Sequence, residues 1–205
     1  MSRKGLALVL SAPSGAGKST LVQRLMAEFP NLSYSISCTT REPRVGERPD
    51  IDYHFLTQEE FIAKRDQRYF AEWAYVHGYY YGTPLEEVNQ KLAQGLDVVF
   101  DIDVQGAAKL KETLDSAYFV FILPPSIAEL QRRVERRGTE SPETIAKRMQ
   151  NAKQEIAKAL WYDALIVNDD LDTAYDYLKA CYLAGTLAPK RNQNLLSKLL
   201  TEFDR

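Results

Sequence analysis

Residues 12–19, APSGAGKS, combine glycine, lysine and serine at a spacing that suits phosphate binding. Gly15 and Gly17 can adopt backbone conformations in which successive N–H groups converge on phosphate oxygens. Lys18 adds a mobile positive charge, and the Ser19 hydroxyl can ligate a metal ion. The alternative interpretation is an ordinary glycine-rich turn with a solvated lysine.

The sequence on either side of this loop supports phosphate binding. LALVLS (6–11) is an apolar run that predicts a buried strand, and the spacing of Leu21, Leu25 and Met26 predicts one face of a helix. The loop would therefore lie at a helix N-terminus, where unpaired N–H groups and the helix dipole favour anions. It matches the pattern G-x-x-x-x-G-K-[ST] except at the first position, where Ala12 is compatible if its φ is negative.

A second group of side chains suited to anions follows in and after TTREPR: Arg41, Arg44, Tyr53 and Tyr81. Two guanidinium groups and two phenols suit one doubly charged phosphate, because arginine presents paired planar donors and tyrosine adds a neutral one. For any one of these residues, an exposed loop arginine or a core tyrosine is the alternative.

DVVFDIDVQG places Asp101 and Asp103 at the carboxyl end of an apolar run, where parallel sheets bind their ligands. If the strand continues that far, alternation puts both carboxylates on the same side. A helix N-cap is the alternative role for Asp103.

Arginines recur later in two helical patterns. Arg133 and Arg137 are four residues apart and would share a helix face, and Arg148 returns from the next helix. Such arginines suit phosphoryl transfer, whose transition state is stabilised mainly by cations and alignment. A solvated helix is the alternative, and Arg132 and Arg136 are the arginines expected to be solvated.

The elements that must position these residues alternate along the chain. Helical patterns separate most of the strand-like runs, which predicts an α/β fold with a parallel central sheet covered by helices on both faces. The runs are LALVLS (6–11), LSYSIS (32–37), DVVFDI (97–102), YFVFIL (118–123) and ALIV (164–167).

Two segments interrupt this alternation. The first part of residues 38–83 is polar and rich in turn-forming residues, and the last part is aromatic with interspersed glycines. This composition indicates an inserted small subdomain. RRGTESPET (136–144) has the character of a short lid, and Ser141 followed by Pro142 predicts a helix start.

The last residues predict an amphipathic helix. They place one apolar stripe on it, which we expect to pack against the core or against another subunit. The stripe consists of Leu195, Leu196, Leu199, Leu200 and Phe203.

Composition restricts the kind of protein. The 205 residues are 45% apolar, with a net charge of −2 and a pI near 5.8, so neither nucleic acid nor membrane is expected as a partner. The first apolar run is too short for a signal peptide or a membrane span. Cys38 and Cys181 are too few for a disulfide scaffold or a zinc site, which favours a reducing cytoplasm.

Taken together, the motifs resemble the guanylate kinases, over nearly the whole chain and most closely the short soluble bacterial and yeast type. The motifs that carry the resemblance occur in this order: SAPSGAGKST, SCTTREPRVGE, DYHF, FAEWA, YYYGTP, DIDVQG, ERRGTES and VNDDL. The resemblance implies a single domain (1–205) with a three-layer P-loop core (1–37 and 84–205), a small α+β GMP-binding subdomain (38–83) and a lid at about 133–148.

The resemblance further implies an enzyme that uses ATP and Mg²⁺ to phosphorylate GMP to GDP, with dGMP as a further candidate substrate. The implied catalytic residues are Lys18, Arg41, Arg133, Arg137 and Arg148. ATP would be bound by Ala12, Pro13, Ser14, Gly15, Ala16, Gly17, Lys18, Ser19, Thr20 and Asn168, with Ser19 at the metal and Asn168 near the adenine. GMP would be bound by Ser37, Arg41, Arg44, Tyr53, Glu72, Tyr81, Thr83 and Asp101.

Guanine itself explains why a carboxylate belongs in such a site. Its N1–H and N2 amino groups lie side by side, so Glu72 can accept two hydrogen bonds from it, whereas adenine offers no such pair. Sites built on this kind of pairing discriminate on the order of 10⁴-fold. Thr83 or Ser37 could donate to O6. An exposed strand carboxylate is the alternative role for Glu72.

Two other functions remain possible from the sequence. Guanylate-kinase-like domains also serve as peptide-binding scaffolds, although their phosphate loops are typically damaged, whereas GKST is intact here. The same chemistry on AMP or a pyrimidine nucleotide is disfavoured by Glu72. His54 and His77 are expected to be packed or hydrogen-bonded. Cys38 borders the loop that carries Arg41 and is a candidate thiol-reactive group.

Overall fold

The computed structural model describes residues 3–76, 78–114, 116–136 and 141–203. Arg137 and His77 lie outside these residues, so their predicted roles are not addressed by the structure. The strands are β1 (Ala7–Ser11), β2 (Leu32–Tyr34), β3 (Cys38–Thr39), β4 (His54–Phe55), β5 (Phe70–Val76), β6 (Tyr79–Pro84), β7 (Asp97–Asp101), β8 (Tyr118–Leu123) and β9 (Ala164–Val167). The α-helices are α1 (Lys18–Glu28), α2 (Gln58–Asp66), α3 (Leu85–Ala93), α4 (Val104–Thr113), α5 (Ile127–Glu135), α6 (Pro142–Ala157), α7 (Leu171–Leu187) and α8 (Gln193–Phe203).

The central sheet has five parallel strands in the order β2-β7-β1-β8-β9. Side chains alternate between its faces: Leu8 and Leu10 pack with α1 and α7, whereas Val9 packs with Phe100 and with α4. Both faces are therefore covered by helices, which confirms the predicted three-layer α/β fold. The segment expected as a strand over 32–37 pairs with β7 only as far as Tyr34, because the chain then leaves for the second sheet at Cys38.

A second, mixed sheet with the order β4-β3-β6-β5 lies within residues 38–84, as expected for an inserted α+β unit. Its small core contains Cys38, Phe61 of α2 and Phe70. Burial raises the pKa of the Cys38 thiol to about 12, so the expectation of a thiol-reactive Cys38 is wrong.

The helix predicted to start at Ser141-Pro142 is present as α6, and the Ser141 hydroxyl accepts a hydrogen bond from the N–H of Thr144. Arg133 lies on the preceding helix, α5, which ends at Glu135.

The leucine stripe of the C-terminal segment lies on α8, but α8 has no buried residue, and Phe203 is 88% exposed. Packing of this stripe against the core is therefore a wrong expectation. No helix in the described ranges is long and apolar enough to cross a membrane.

Candidate active site

The phosphate-loop segment joins β1 to α1, as the sequence predicts. Gly15 and Gly17 have φ values of +99° and +93°, in the region that favours glycine. Outside glycine, positive φ occurs in the described residues only at Asp50 and Arg68, so Ala12 has the negative φ that the loop requires.

Lys18 and Asp101 meet at the carboxyl edge of the central sheet. The Lys18 ammonium forms an ion pair with the Asp101 carboxylate and lies 3.4 Å from the carbonyl oxygen of Ile102. This contact follows from the pairing of β1 with β7, which places the end of β7 beside the loop. The Lys18 ammonium, which the sequence suggests as a phosphate-binding group, is thus paired with the Asp101 carboxylate in this structure.

Asp103 does not share the environment of Asp101, because β7 ends at Asp101 and α4 begins at Val104. The Asp103 carboxylate caps α4 by accepting hydrogen bonds from the N–H groups of Gln105 (3.0 Å) and Gly106 (2.8 Å). The N-cap alternative is the observed one, and the strand alternation that would align both aspartates does not extend to residue 103.

Arg41 lies in a preformed network within the second subdomain. Its guanidinium donates to both Glu47 carboxylate oxygens (2.8 and 2.9 Å) and to the Glu42 carbonyl oxygen (2.7 Å), and it lies 5.5 Å from the centroid of the Tyr53 ring. The Tyr53 ring meets that of Tyr81 edge-on at 6.2 Å. Three members of the predicted anion-binding group are therefore neighbours.

Arg44, the fourth member, is exposed, and its backbone N–H donates to Glu47 at 2.8 Å. Glu47 was not anticipated from the sequence, although it lies three residues beyond Arg44 in the same loop. The hydrogen bond from the Arg44 N–H, together with the Arg41 guanidinium, lowers the pKa of Glu47. The carboxylate thereby stays ionised and organises the loop.

Glu72 is buried, with 7% exposure, which excludes the alternative of an exposed strand carboxylate. Thr83 faces it across the β5–β6 pair and donates its hydroxyl to Glu72 Oε1 at 2.8 Å. Because this proton is used, the Thr83 hydroxyl cannot at the same time donate to a base. Burial raises the pKa of Glu72, and the nearby Asp103 carboxylate raises it further.

A cavity of about 240 Å³ lies in front of Glu72, and a second one of about 430 Å³ adjoins it. The first is also lined by Tyr81 and Gly106, and the second by Glu47 and Thr83. Their common lining is Ser37, Tyr53, Asp101 and Ile102. Asp101, which lines both cavities, also pairs with Lys18, so both cavities lie beside the phosphate loop.

Arg133 and Arg148 approach the phosphate loop from the other side. Arg133 donates to Glu129 Oε1 (2.6 Å) and to the Asn168 carbonyl oxygen (3.2 Å), and Arg148 donates to the Ser14 hydroxyl (3.2 Å). Arg132 and Arg136 are exposed, as predicted. Hydrogen bonds from Arg132 and Arg133 lower the pKa of Glu129 to about 2.

The residues near the loop fit a metal ion that arrives with a nucleotide. No cluster of three or more His, Cys, Asp or Glu suited to a metal occurs among the described residues. Ser19 is exposed in the first turn of α1, and the Asp101 carboxylate is partly exposed beside Lys18. One hydroxyl and one carboxylate suit an ion that keeps several waters and takes its other ligands from phosphates.

A family model described as guanylate kinase matches residues 4–184. The chain belongs to the guanylate kinase family. A guanylate kinase of Oleidesulfovibrio alaskensis is 54% identical over 201 residues, which cover 98% of each chain. One of Lawsonia intracellularis is 54% identical over 196 residues, covering 96% of this chain and 92% of the relative.

A solved structure agrees with this membership. The crystal structure of guanylate kinase from Anaplasma phagocytophilum has a TM-score of 0.72 and 31% identity, and the match covers 93% of this chain and 91% of that one. The predicted enzyme class, a nucleoside-monophosphate kinase, is thereby confirmed. Guanylate kinases are ATP-using kinases, and such kinases generally need a divalent metal ion.

Proposed function

We propose that this enzyme transfers the γ-phosphoryl group of ATP to GMP and releases ADP and GDP. The family match and the curated relatives support this reaction. The observation that carries the choice of GMP is the buried carboxylate of Glu72, which lines the same cavity as Asp101, the ion-pair partner of Lys18. AMP would not supply the pair of donors that guanine offers, so the Glu72 carboxylate would keep only the hydrogen bond from Thr83, which is costly in a buried site.

The phosphate loop is proposed to bind ATP. Backbone N–H groups of residues 14–19 would cradle the phosphates, and Lys18 would exchange the Asp101 carboxylate for a phosphate oxygen. Arg148, which already contacts Ser14, is close enough to the loop to reach the same phosphates. Mg²⁺ held through Ser19 would neutralise phosphate charge.

The second subdomain is proposed to bind GMP. Arg41, Tyr53 and Tyr81 form the phosphate-binding group, and Arg44 would join them by turning inward from its exposed position. Ser37 lines the cavity in front of Glu72, where it can donate to guanine O6. Thr83 would act mainly through Glu72, since its hydroxyl is donated there.

The chemistry needs alignment and cations rather than a protein base. The transition state of phosphoryl transfer is loose, with charge spread over the equatorial oxygens. Lys18, Arg41, Arg133 and Arg148 would neutralise that charge, and Arg137 remains a further candidate on the basis of the family resemblance. Closure of the subdomain (38–83) and the lid (about 133–148) would exclude water and bring the phosphates into line.

An ADP-release assay with GMP, dGMP, AMP, CMP and UMP tests the reaction. We expect the wild type to prefer GMP, Lys18→Ala to lose turnover on every acceptor, and Glu72→Gln to lose mainly the preference for GMP. Lys190→Ala serves as the control because Lys190 is exposed and lies far from the phosphate loop. The carbonyl oxygen of the neighbouring Arg191 accepts a hydrogen bond from the N–H of Lys4, before the amino end of β1, whereas the phosphate loop follows the carboxyl end of β1. Equal wild-type activity on AMP and GMP would contradict base recognition by Glu72.

Two further proposals concern the surroundings of the enzyme. Both described cysteines are free thiols, which supports a reducing cytoplasm as its location; cell fractionation tests this. The exposed leucine stripe of α8 supports contact with a second copy of the chain. Sedimentation velocity should then show an oligomer for the wild type and a smaller species for Leu196→Glu, and a monomeric wild type would refute the contact.

A further inference from the structure

Asn168 joins three parts of the donor side of the cleft. It follows β9 directly, and its backbone N–H donates to the carbonyl oxygen of Leu123 at the end of β8 (2.8 Å). The residue is 5% exposed. Its place in the fold is therefore fixed by the central sheet rather than by a mobile loop.

The side chain of Asn168 holds the phosphate loop. Its Nδ2 donates to the carbonyl oxygen of Ala16 at 2.7 Å, across 152 residues of sequence. Ala16 is fully buried between Gly15 and Gly17, which both have positive φ. A Cβ added at Gly17 would lie 2.2 Å from Nδ2, so the loop backbone and the amide are packed directly against each other.

This hydrogen bond determines the direction of one loop N–H group. In a planar trans peptide the C=O of residue 16 and the N–H of residue 17 point in opposite directions. The described residues contain no cis peptide. With the Ala16 carbonyl held by Asn168, the Gly17 N–H must point away from Asn168. A flip of this peptide, which the flanking glycines would otherwise permit, would remove one of the N–H groups that a phosphate needs.

The backbone of Asn168 also positions a lid-side cation. Its carbonyl oxygen accepts a hydrogen bond from Arg133 (3.2 Å), and Arg133 is held from its other side by Glu129 (2.6 Å). The same residue thus fixes a loop peptide through its side chain and an arginine through its main chain.

We infer that Asn168 is a positioning residue that locks the Ala16–Gly17 peptide for binding of the polyphosphate chain, rather than a residue that reads the adenine base. The inference rests on the proposed use of ATP at this loop. It differs from the expectation that the sequence resemblance raises for Asn168, which is a position near the adenine, because the side-chain hydrogen bond observed here runs from Nδ2 to the loop itself.

Binding of magnesium tripolyphosphate, which has no base, separates the two roles. In Asn168→Leu, which has a similar branched shape and no donor, calorimetry should show affinity for tripolyphosphate and for ATP reduced by the same factor, about tenfold or more. The value of kcat should fall about 10- to 100-fold, because small misplacements of reacting groups have effects of this size. The KM for GMP should change less than about twofold, since Asn168 is on the donor side.

Asn168→Ser and Asn89→Leu complete the design. In Asn168→Ser the hydroxyl can still donate towards Ala16 and should restore part of the affinity for both probes. If Asn168→Leu does not fold, the same measurements on Asn168→Ser test the inference. Asn89 is exposed on α3, and its variant should behave as wild type. In ¹⁵N spectra, the Gly17 amide should shift in Asn168→Leu while that of Gly82 stays unchanged.

Unchanged tripolyphosphate binding with weakened ATP binding would overturn the inference in favour of base recognition, and unchanged binding of both would overturn it outright. The comparison of tripolyphosphate binding with ATP binding uses no GMP, so its result does not depend on the proposed acceptor. A wild type that binds both probes but does not phosphorylate GMP would contradict the proposed reaction and leave the role of Asn168 standing.

Discussion

At the scale of single residues, the candidate site contains a carboxylate, Glu72, whose surroundings disfavour its ionised form. Glu72 is buried and receives a hydrogen bond from Thr83 alone among the described residues. Burial raises its pKa, so keeping the ionised form folded costs free energy. In the proposed GMP site, the ionised carboxylate would receive both guanine donors when GMP binds, and these hydrogen bonds would offset the cost.

Glu72→Gln should therefore stabilise the ligand-free enzyme. Because the folded-state pKa of Glu72 is raised, the wild-type fold loses stability as the pH rises through that pKa. The stability gained by Glu72→Gln should therefore be present at pH 8 and vanish near pH 4, around the pKa of an unfolded glutamate. A gain of about 1 kcal/mol corresponds to about 2–4 °C in Tm for a domain of this size. Thermal unfolding across this pH range measures it.

The matched control for this prediction is Glu112→Gln, because Glu112 is exposed on α4. Its Tm should follow that of the wild type at every pH. A Glu72→Gln variant that is less stable than wild type at pH 8 would show that the carboxylate is net stabilising, contrary to the argument from burial.

At the scale of elements, α4 connects the two sheets of the molecule. Asp103 caps it beside the end of β7, and Thr113 in its last turn donates to the Ala71 carbonyl oxygen of β5 (3.0 Å). Gly106 lies in its first turn, where an added Cβ would be 3.1 Å from Glu72 Oε2. The helix therefore sets the position of the Glu72 carboxylate, which is proposed to bind guanine, as well as that of β5.

Gly106→Ala should separate helix stability from GMP binding. Alanine favours a helix over glycine by about 1 kcal/mol, so the variant should unfold at the same temperature as wild type or slightly higher. The new methyl group must push the Glu72 carboxylate by a few tenths of an ångström, so KM for GMP should rise several-fold while KM for ATP stays unchanged. Initial rates with each substrate varied in turn test this.

Asn89→Ala, at an exposed position of α3, controls for a general effect of helix substitutions. If KM for ATP rose in Gly106→Ala as much as KM for GMP, the effect would not be local to Glu72, and the proposed role of this glycine would be refuted.

At the scale of the whole molecule, β7 carries a carboxylate at each end, with different tasks. Asp101 faces the cleft, whereas Asp97 is completely buried and binds Arg3 (2.6 and 2.7 Å), the Leu6 N–H (2.7 Å) and the Tyr182 hydroxyl (2.6 Å). The amino-terminal segment, β7 and α7 are thus tied together at the sheet edge opposite the cleft.

Asp97→Asn should destabilise the fold by about 2–3 kcal/mol, because it breaks a buried and fully hydrogen-bonded ion pair. Burial opposes ionisation of Asp97, but the hydrogen bonds from Arg3, Tyr182 and Leu6 outweigh it and lower its pKa. A lowered pKa gives stability that is present above the pKa of an unfolded aspartate, about 3.9, and is lost as the pH falls through the folded value.

Urea unfolding at pH 7 and pH 3 measures this difference, which should be full at pH 7 and smaller at pH 3. Asp66→Asn, at an exposed position of α2, should change little at either pH. The KM values of folded Asp97→Asn should match those of the wild type, since Asp97 lies at the far end of β7 from the cleft. A gap that grew on acidification would refute the assigned sign.

The sequence by itself determined the features that depend on neighbouring residues. The phosphate loop, its strand and helix, the positions of the sheet strands along the chain, the interruption after residue 37 and the start of α6 all follow from local patterns, because apolar spacing, glycine content and capping residues act within a few positions. The family resemblance then supplied the pairing of these motifs with GMP and ATP.

Only the tertiary structure decided which side chains meet. The period of two along β5 is compatible with either face for Glu72, and packing of α4 against β5 decides that it is buried. Arg44 is exposed, and the side chain that contacts the Arg41 guanidinium is that of Glu47. Asn168 reaches Ala16, and Lys18 reaches Asp101, because parallel strands bring segments distant in the chain to one sheet edge, and sequence spacing carries no record of that proximity.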